Sequence, residues 1–381
     1  MLEVALKVLQ IIKKNGYDAY IVGGFVRDYI LGKGSSDVDI ATNATPKQIK
    51  EIFPNSFLPN ELYGSITVIS DKIRFEITTF RKELTYFNNR KPVEIEYIND
   101  LLEDLKRRDF TINTLCMDCN GKIIDLLDGK VDIINHVIKT VGNSVDKFSE
   151  DALRILRAIR FATVLNFRLD NEVEAAIVET KKYLSNISYN RKKSELDKIF
   201  ISKNAKYGVE LLMKLGLDKE LEIKNLSEIK LSGDLVGVWS SINVSNNYPF
   251  TKNEKDLIKK IKEVSKYNNL DKKVLYKYGP YVNSIAAINK GNDNLLVVSE
   301  YNKLPIKTRN DILITSEEIM KMFEKKPGKY ISDVYCDLET KILNGELDNN
   351  NKSLKDYICK NYLGGLIWKR MSLWIWLAAK T

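Results

Sequence analysis

The chain has 381 residues, of which 44% are hydrophobic and 29% are charged; this composition excludes a largely disordered protein and predicts more than one folded domain. Lysine and arginine number 60 against 51 aspartates and glutamates, a net charge of +9 that favours a polyanionic partner such as nucleic acid, although a lysine-rich surface is often only a solvated one. Four cysteines and one histidine provide no disulfide framework, so we expect a cytoplasmic protein.

The first third of the chain mixes helical and strand patterns. Residues 1–14 carry apolar side chains at helical spacing, which predicts an amphipathic helix and not a signal peptide. The runs SITVIS (65–70) and IRFEITTF (73–80) are rich in β-branched and aromatic residues and are bounded by turn residues, so they predict strands. These patterns indicate an α/β head that ends near residue 142.

Helical spacing replaces the mixed pattern from Phe148 onward, and we predict an all-α remainder. The predicted parts are a head (1–142), a neck (143–200), a body (201–305) and a tail (306–381). The apolar stretch LIWKRMSLWIWLAA near the end is interrupted by Lys369 and Arg370. This interruption predicts a buried terminal helix and not a membrane span.

The stretch IVGGFVRDYILGKGSSDVDIATNA (residues 21–44) begins with a strand, a Gly23–Gly24 turn and a short helix. Unpaired N–H groups at a helix start near Gly24 can bind a phosphate. Arg27, in the first turn, could add a bidentate cation for the same anion. A tight strand-to-helix turn without a ligand is the alternative interpretation.

Two aspartates, Asp37 and Asp39, follow in an extended run. A strand period of two predicts both carboxylates on one face and Val38 and Ile40 in a core on the other. Two carboxylates this close repel each other unless a divalent cation lies between them, and oxygen ligands suit Mg²⁺, which also coordinates phosphates. A triphosphate at the turn and a metal at its α-phosphate together predict nucleotidyl transfer.

Two further groups of polar residues leave alternatives open. Glu76 shares a strand face with Arg74, so it is either a third metal ligand or the partner of that arginine. Cys116 and Cys119 form a C-x-x-C pattern, but a zinc site needs a second pair of ligands. We therefore interpret these two thiols as structural.

Several motifs occur in a fixed order: VGGFVRD, LLEDLKRRDFTINTL, IIDLLDG, IKTVGN, FSEDALRILRAIRFA and SYNRKKSELDKIF. In order and spacing they resemble the motifs of the class II tRNA nucleotidyltransferases, the CCA-adding enzymes, which share them with bacterial poly(A) polymerases. The resemblance covers roughly residues 20–200, and residues 315–350 also resemble the helical C-terminal region of that family.

This resemblance implies an α+β multidomain fold: a β-polymerase-like nucleotidyltransferase head, with a mixed sheet and helices, followed by an all-α neck, body and tail that grip the tRNA acceptor end. It also implies roles for individual residues. The resemblance assigns metal and triphosphate binding to Gly24, Arg27, Asp37 and Asp39. It assigns contact with the sugar to Arg108 and Asp109. It assigns base selection to Asp151 and Arg154, with Arg157 and Arg160 following on the same helix toward the phosphates.

The chemistry of the bases supports the base-selecting pair. Cytosine and adenine each present an amine donor beside a ring-nitrogen acceptor, whereas guanine and uracil present the reverse. Asp151 as acceptor and Arg154 as donor, expected one helical turn apart, therefore suit C and A. A spacing of three between Arg154, Arg157 and Arg160 predicts that they form one cationic ridge on a helix. A solvated helix with local ion pairs is the alternative.

The segment 79–105 is long, charged and irregular at its centre, so it is either a disordered insertion or a functional element. In the family, members that add the terminal A have a flexible segment of this kind and members that add only CC lack one. Its presence therefore favours complete CCA addition. Three residues differ from those usual in the family: Lys139, Lys147 and Asn190. These differences put auxiliary contacts in doubt but not the reaction.

The sequence thus predicts addition of C, C and A to the 3′ end of tRNA from CTP and ATP, with release of pyrophosphate and Mg²⁺ as cofactor, and no membrane association. A bacterial poly(A) polymerase or an enzyme that adds only A would use the same head and remains an alternative. A noncatalytic RNA-binding module would be expected to lose one of the paired aspartates. A single histidine excludes the histidine–aspartate phosphohydrolase domain that some members append.

Overall fold

The structure is a computed structural model that describes residues 1–34, 37–60, 64–87 and 91–364. It divides into two compact units. Unit 1 comprises Met1–Ile229 and Ile242–Pro249, and unit 2 comprises the described residues of Lys230–Ser241 and Phe250–Thr381. The finer division into head, neck, body and tail stays a prediction.

Strands are concentrated in the first part of unit 1. They are β1 (Ala19–Val22), β2 (Asp39–Thr42), β3 (Phe57–Asn60), β4 (Ser65–Ser70), β5 (Ile73–Thr79), β6 (Arg81–Phe87), β7 (Lys91–Tyr97), β8 (Cys116–Met117), β9 (Ile123–Ile124), β10 (Val137–Ile138), β11 (Arg168–Leu169), β12 (Ile223–Lys224) and β13 (Asn243–Val244). Within the described ranges, seven of them form one sheet in the order β3-β4-β5-β2-β1-β8-β9. The neighbours β2 and β5 are parallel, and the other pairs are antiparallel. The predicted mixed sheet is confirmed.

Helices flank this sheet and make up most of the remaining chain. They are α1 (Leu2–Lys14), α2 (Gly24–Ile30), α3 (Pro46–Ile52), α4 (Leu101–Lys106), α5 (Gly129–Ile134), α6 (Ser144–Glu150), α7 (Leu153–Leu165), α8 (Asn171–Thr180), α9 (Tyr189–Phe200), α10 (Ala205–Lys214), α11 (Leu235–Ser241), α12 (Lys252–Val264), α13 (Lys272–Asn289), α14 (Asn294–Asn302), α15 (Ser316–Phe323), α16 (Lys329–Leu343) and α17 (Asn351–Tyr362). The predicted change from a mixed to a helical architecture is confirmed.

Side-chain periodicity explains the elements that the sequence predicted. Helix α1 buries Ala5, Val8, Leu9 and Ile12 along one stripe, as an amphipathic helix does. In β5, Phe75 is buried and its neighbour Glu76 is exposed, which is the alternation of a sheet with one covered face. Each of these elements is therefore fixed by burial of one face.

The segment 79–105 differs from the sequence prediction. Strands β6 and β7 pair as an antiparallel hairpin, with Arg81 opposite Tyr97, and α4 follows. Residues 88–90, between the strands, lie outside the described residues. The alternative of a disordered insertion was wrong for these two strands, because their isoleucine, valine, threonine and aromatic content favours strands despite the many charges.

The helical part of unit 1 is organised around α7, which packs against α9 and α10. Ten of its thirteen residues are buried, so neighbouring helices cover nearly all of its faces. Helix α10 approaches it at Gly208. A Cβ atom added to this glycine would lie 2.5 Å from Oγ1 of Thr163 in α7 and 2.6 Å from Cγ2 of Ile199 in α9.

Replacing Gly208 with alanine is expected to lower the free energy of unfolding by about 1–2 kcal/mol. The β-branched side chains of Thr163 and Ile199 have few rotamers with which to move away, and this overpacking outweighs the helix propensity gained from alanine. Urea denaturation measures the effect. Gly34→Ala is the matched control, since its Cβ meets nothing within 4 Å among the described residues; a Gly208→Ala protein as stable as that control would contradict the packing argument.

Unit 2 contains two clusters of buried apolar residues. One joins α12 and α13 through Ile261, Val264 and Val282. The other is larger and includes residues of α13–α17, among them Val334 and Leu338. No helix in the described part of the chain is long and apolar enough to cross a membrane. The predicted terminal helix at 366–379 lies outside the described residues.

Candidate active site

A cavity of about 790 Å³ opens in unit 1, between the sheet and the helices that follow it. It brings together eight of the ten predicted site residues: Gly24, Arg27, Asp39, Arg108, Asp109, Asp151, Arg154 and Arg157. Asp37 and Arg160 are not among its lining residues. Residues more than a hundred positions apart in the sequence therefore meet in one space.

The acidic wall of the cavity comes from two neighbouring parallel strands. Asp39 of β2 lies opposite Glu76 of β5, and both line the cavity. The strand begins at Asp39, so Asp37 precedes it and is exposed. Val38 and Ile40 are buried, as predicted. The carboxylate nearest to Asp39 across the sheet is thus Glu76.

Burial and the neighbouring carboxylates both disfavour the charged form of Asp39. Its pKa is raised, first because the recess removes water from around it and then because Glu76 and Asp37 are negatively charged; Arg108 opposes the shift. A divalent cation would relieve this repulsion, and the donor set consists only of the oxygen ligands that hard cations prefer. The residues therefore fit a metal held by carboxylates, although no three His, Cys, Asp or Glu side chains of the described ranges converge on one metal position.

The glycine turn allows an arginine to lie against the backbone. Gly23 adopts φ +75°, and a Cβ atom there would lie 3.4 Å from Nη1 of Arg108. Arg108 also pairs with the buried carboxylate of Asp104 through Nη2, at 3.3 Å. Its Nε atom is buried and has no hydrogen-bond partner in the described structure. Arg108 therefore has an unused donor beside the glycine turn.

Arg27 is buried beside this turn and is held from two sides. Its Nη2 atom lies 2.8 Å from Oδ1 of Asp28, and its Nη1 atom donates to Oδ1 of Asn113 at 2.7 Å. The guanidinium carbon lies 5.1 Å from the centre of the Phe161 ring. These contacts fix the orientation of a cation that faces the cavity.

Asp109 is a buried carboxylate with several donors. Nε of Arg157 donates to Oδ2 at 2.7 Å, Nδ2 of Asn113 donates to Oδ1 at 3.0 Å, and the Phe110 N–H donates to the same oxygen at 2.9 Å. Burial alone would raise the pKa of Asp109, but the Arg157 charge and these hydrogen bonds hold it well below its usual value. Asp109 is therefore ionised throughout the neutral range.

Replacing Asp109 with asparagine is expected to lower the free energy of unfolding at neutral pH by roughly 1.5–3 kcal/mol, the range for hydrogen bonds to charged groups. Because the folded protein lowers the pKa of Asp109, its stabilisation is complete above the pKa of the unfolded chain and is lost as the pH falls toward the folded value. The difference from the wild type should therefore shrink in acid. Urea denaturation over a pH series, with exposed Asp18→Asn as control, measures this; a pH-independent difference would contradict it.

The two predicted base-selecting residues line the cavity but do not share a helix. Asp151 has an extended backbone and ends α6, and its Oδ1 atom accepts the Leu153 N–H at 3.0 Å, which begins α7. Its Oδ2 atom accepts from Nη2 of Arg191 at 2.8 Å. The prediction of one continuous helical turn from Asp151 to Arg154 was wrong, because the backbone is extended at Asp151 and its side chain accepts the first N–H of the new helix.

Arg154 is bound to the surrounding protein through both ends of its guanidinium. Nη1 contacts Glu150 and the Lys147 carbonyl, the latter at 3.1 Å, while Nη2 donates to the Arg107 carbonyl at 3.3 Å. Lys147, one of the departures from the family pattern, pairs with the same Glu150 at 3.2 Å. Glu150 therefore shares its charge between the two cations beside the cavity.

The predicted cationic ridge on α7 is also corrected. Each of its arginines has its own carboxylate: the pairs are Arg154 with Glu150, Arg157 with Asp109 and Arg160 with Glu195. The carbon of the Arg160 guanidinium lies 3.9 Å from the centre of the Phe161 ring. Because α7 is nearly enclosed by protein, an unpaired arginine on it would cost free energy of folding. The three carboxylates therefore neutralise the positive charge of the predicted ridge.

Several cavity residues were missed by the sequence reasoning. They are Arg81, Glu83, Arg107, Asn113, Phe161 and Arg191. Asn113 and Arg191 lie inside the recognised motifs RRDFTIN and SYNRKK, so the motifs contained a signal for them. Arg81 and Glu83 come from the hairpin that was not predicted.

The cysteine interpretation agrees with the structure. Cys116 and Cys119 are buried free thiols. Burial raises the pKa of Cys116 to about 12, which keeps it protonated and unreactive at neutral pH. Neither thiol is part of the cavity wall among its described residues.

Comparisons with known proteins identify the families that this chain resembles. The family described as Poly A polymerase head domain matches residues 19–139, the RNA and SrmB-binding site of polymerase A matches 166–224, and tRNA nucleotidyltransferase domain 2 matches 244–358. The CCA-adding enzyme of Ligilactobacillus salivarius is 35% identical, over 92% of this chain and 94% of its own. That of Bacillus subtilis is 33% identical, over 93% and 97%.

Solved structures give the same result. The Bacillus stearothermophilus CCA-adding enzyme in complex with CTP matches with a TM-score of 0.83 and 27% identity, over 94% of this chain and 97% of that one. The Thermotoga maritima CCA-adding enzyme complexed with tRNA-CCA matches in fold, with a TM-score of 0.72 and 20% identity, over 94% and 95%. With identities above 30% along nearly the whole chain, the protein belongs to the family of the CCA-adding enzymes.

Proposed function

We propose that this chain adds C, C and A to the 3′ end of tRNA from CTP and ATP and releases pyrophosphate. The observation that carries the proposal is the single cavity in which a carboxylate pair, buried arginines and a donor–acceptor pair meet. Relatives along nearly the whole chain are named as CCA-adding enzymes, and one of them is described in complex with CTP. The proposal therefore rests on both the chemistry of the cavity and the family.

The incoming nucleotide is proposed to extend across the cavity. Its triphosphate binds at Gly24 and Arg27, and its sugar contacts Arg108 and Asp109. The unpaired Nε donor of Arg108 supports this assignment, since a ligand acceptor would complete its hydrogen bonds. In the transition state, Arg27 stabilises the negative charge that develops on the departing pyrophosphate.

Asp151 and Arg154 are proposed to read the base. The carboxylate accepts from the exocyclic amine of C or A, and the guanidinium donates to the neighbouring ring nitrogen. Glu150 competes with the base for Arg154 in the free protein. Arg157 and Arg160 stay candidates for contacts farther along the nucleotide, with their carboxylate partners as competitors.

Membership of this nucleotidyltransferase family implies a divalent metal ion, and we propose Mg²⁺ because the donors are carboxylate oxygens. Asp37 and Asp39 would hold it, with Glu76 as a neighbour that adds negative charge. When bound, such an ion supplies positive charge to the reacting phosphate. The 3′-hydroxyl of the tRNA attacks the α-phosphate and the pyrophosphate leaves.

We propose that the lysines of the body and tail contact the tRNA backbone, and that the protein acts in the cytoplasm, where its four free thiols stay reduced. A tRNA that lacks its last three nucleotides, offered each nucleoside triphosphate separately and then together, tests the proposed reaction. Growth by C, C and then A supports it. Long A tails would identify a poly(A) polymerase instead, and growth only on tRNA that already ends in CC would identify an enzyme that adds A alone.

A further inference from the structure

Asn113 lies between two residues that the proposed function assigns to different parts of the nucleotide. It ends the short 3₁₀ turn Thr111–Asn113, is only 6% exposed and lines the cavity. Its Oδ1 atom accepts from Nη1 of Arg27 at 2.7 Å, and its Nδ2 atom donates to Oδ1 of Asp109 at 3.0 Å. One amide thus joins a buried cation to a buried anion.

A carboxamide meets both requirements at this position, because it carries one acceptor and one donor. An ionised carboxylate would accept from Arg27 but repel Asp109, and an apolar side chain would remove the Arg27 contact and leave Oδ1 of Asp109 with only the Phe110 N–H. Each charged group also has an ion-pair partner of its own: Asp28 pairs with Arg27 at 2.8 Å, and Arg157 donates to Asp109 at 2.7 Å. Asn113 therefore links the two ion pairs through hydrogen bonds, while the Phe161 ring lies against both guanidinium groups.

We propose that Asn113 is a positioning residue, which holds the Arg27 guanidinium and the Asp109 carboxylate in a fixed relation so that the triphosphate and the sugar of the incoming nucleotide are placed together. The inference rests on the proposed function, since the roles of Arg27 and Asp109 come from it. Without the link, Arg27 keeps Asp28 and Asp109 keeps Arg157, but their mutual geometry is no longer fixed. Displacements of this kind raise the concentration of nucleotide that is needed and weaken recognition of the sugar.

Two variants, Asn113→Ala and Asn113→Asp, distinguish a positioning role from an effect on protein stability alone. KM and kcat for CTP and for 2′-deoxy-CTP are measured on tRNA that lacks its last three nucleotides. We expect Asn113→Ala to lower kcat/KM for CTP on the order of 10- to 100-fold and to reduce the preference for CTP over 2′-deoxy-CTP by a similar factor. Asn171→Ala, at an exposed asparagine at the start of α8, is the matched control.

Asn113→Asp adds a pH readout. The charged groups around position 113 are Arg27 and Asp28 from α2, Asp109 after α4, and Arg157 and Arg154 from α7. At this buried position, loss of water and the charge of Asp109 raise the pKa of a second carboxylate, and the charge of Arg27 opposes the shift. When protonated it can accept from Arg27 and donate to Asp109, as the amide does. The loss relative to the wild type should therefore be largest at high pH and shrink as the pH falls.

Each outcome decides the inference. If Asn113→Ala keeps the wild-type preference for CTP over 2′-deoxy-CTP, so that any loss of kcat/KM is equal for both nucleotides, the inference is overturned. A pH-independent defect in Asn113→Asp would do the same, and this variant carries the test if Asn113→Ala does not fold. If the wild type itself fails to extend the tRNA, the proposed function fails; a normal wild type with unaffected Asn113 variants refutes only the positioning role.

Discussion

Replacing Asp39 with asparagine is expected to slow nucleotidyl transfer by about a thousandfold or more while tRNA still binds. The amide keeps the size of the side chain but removes the charge that would hold a divalent cation at the reacting phosphate. Such a cation stabilises the transition state by several kcal/mol, and each 1.36 kcal/mol is tenfold in rate. Single-turnover incorporation of CMP, together with a separate measurement of tRNA affinity, checks the expectation.

Asp71→Asn is the matched control for this variant. Asp71 lies in the turn between β4 and β5 of the same sheet, is exposed and adopts φ +49°, a conformation that asparagine accepts well. It should react at the wild-type rate. An Asp39→Asn protein that keeps wild-type turnover would remove this carboxylate from the reaction.

The acidic wall of the site was largely predictable because it is encoded locally. Alternation along two short strands determines which side chains are buried, and burial of Phe75 and Ile40 leaves Glu76 and Asp39 on the open side. What the pattern did not contain was the parallel pairing of β2 with β5. That pairing makes Glu76, and not only Asp37, a neighbour of Asp39.

The carboxylate partners of Arg157 and Arg160 were not predictable, because they come from distant parts of the chain. Arg157 pairs with Asp109, 48 positions away, and Arg160 pairs with Glu195, 35 positions away. A spacing of three along α7 correctly placed the arginines on one helix but carried no information about the carboxylates that face them. Helical periodicity reports which residues share a face; the charge of that face depends on what packs against it.

Asp151 carries a local signal that the helical spacing around it obscures. Helical spacing continues through this residue in the sequence, yet its carboxylate accepts the Leu153 N–H and starts a new helix. An aspartate side chain that bonds a nearby backbone N–H favours a break in the helix, and this local bond competes with helical continuation. The resulting break leaves Asp151 at the cavity, where Arg191 from α9 pairs with it.

The Arg191 contact sharpens the expectation for base selection. Exchanging Asp151 and Arg154 outright would place two arginines side by side, so a smaller change is the better test. In Asp151→Asn, the oxygen that accepts the Leu153 N–H can remain, while the new amide donor can face the carbonyl oxygens of uracil and guanine. The base-reading assignment then predicts relaxed selection instead of simple loss of activity.

We expect Asp151→Asn to lower the preference for CTP over UTP, measured as the ratio of kcat/KM on tRNA that lacks its last three nucleotides, by about 10- to 100-fold, since one bidentate base contact contributes on the order of 1–3 kcal/mol. Asp146→Asn, an exposed position on the same helix α6, should leave the ratio unchanged. A uniform fall in kcat/KM for both nucleotides would assign Asp151 to the architecture of the α6–α7 junction, because its contacts with Leu153 and Arg191 would then account for the whole defect. A shifted ratio requires that the carboxylate meets the base itself, since neither of those protein contacts distinguishes cytosine from uracil.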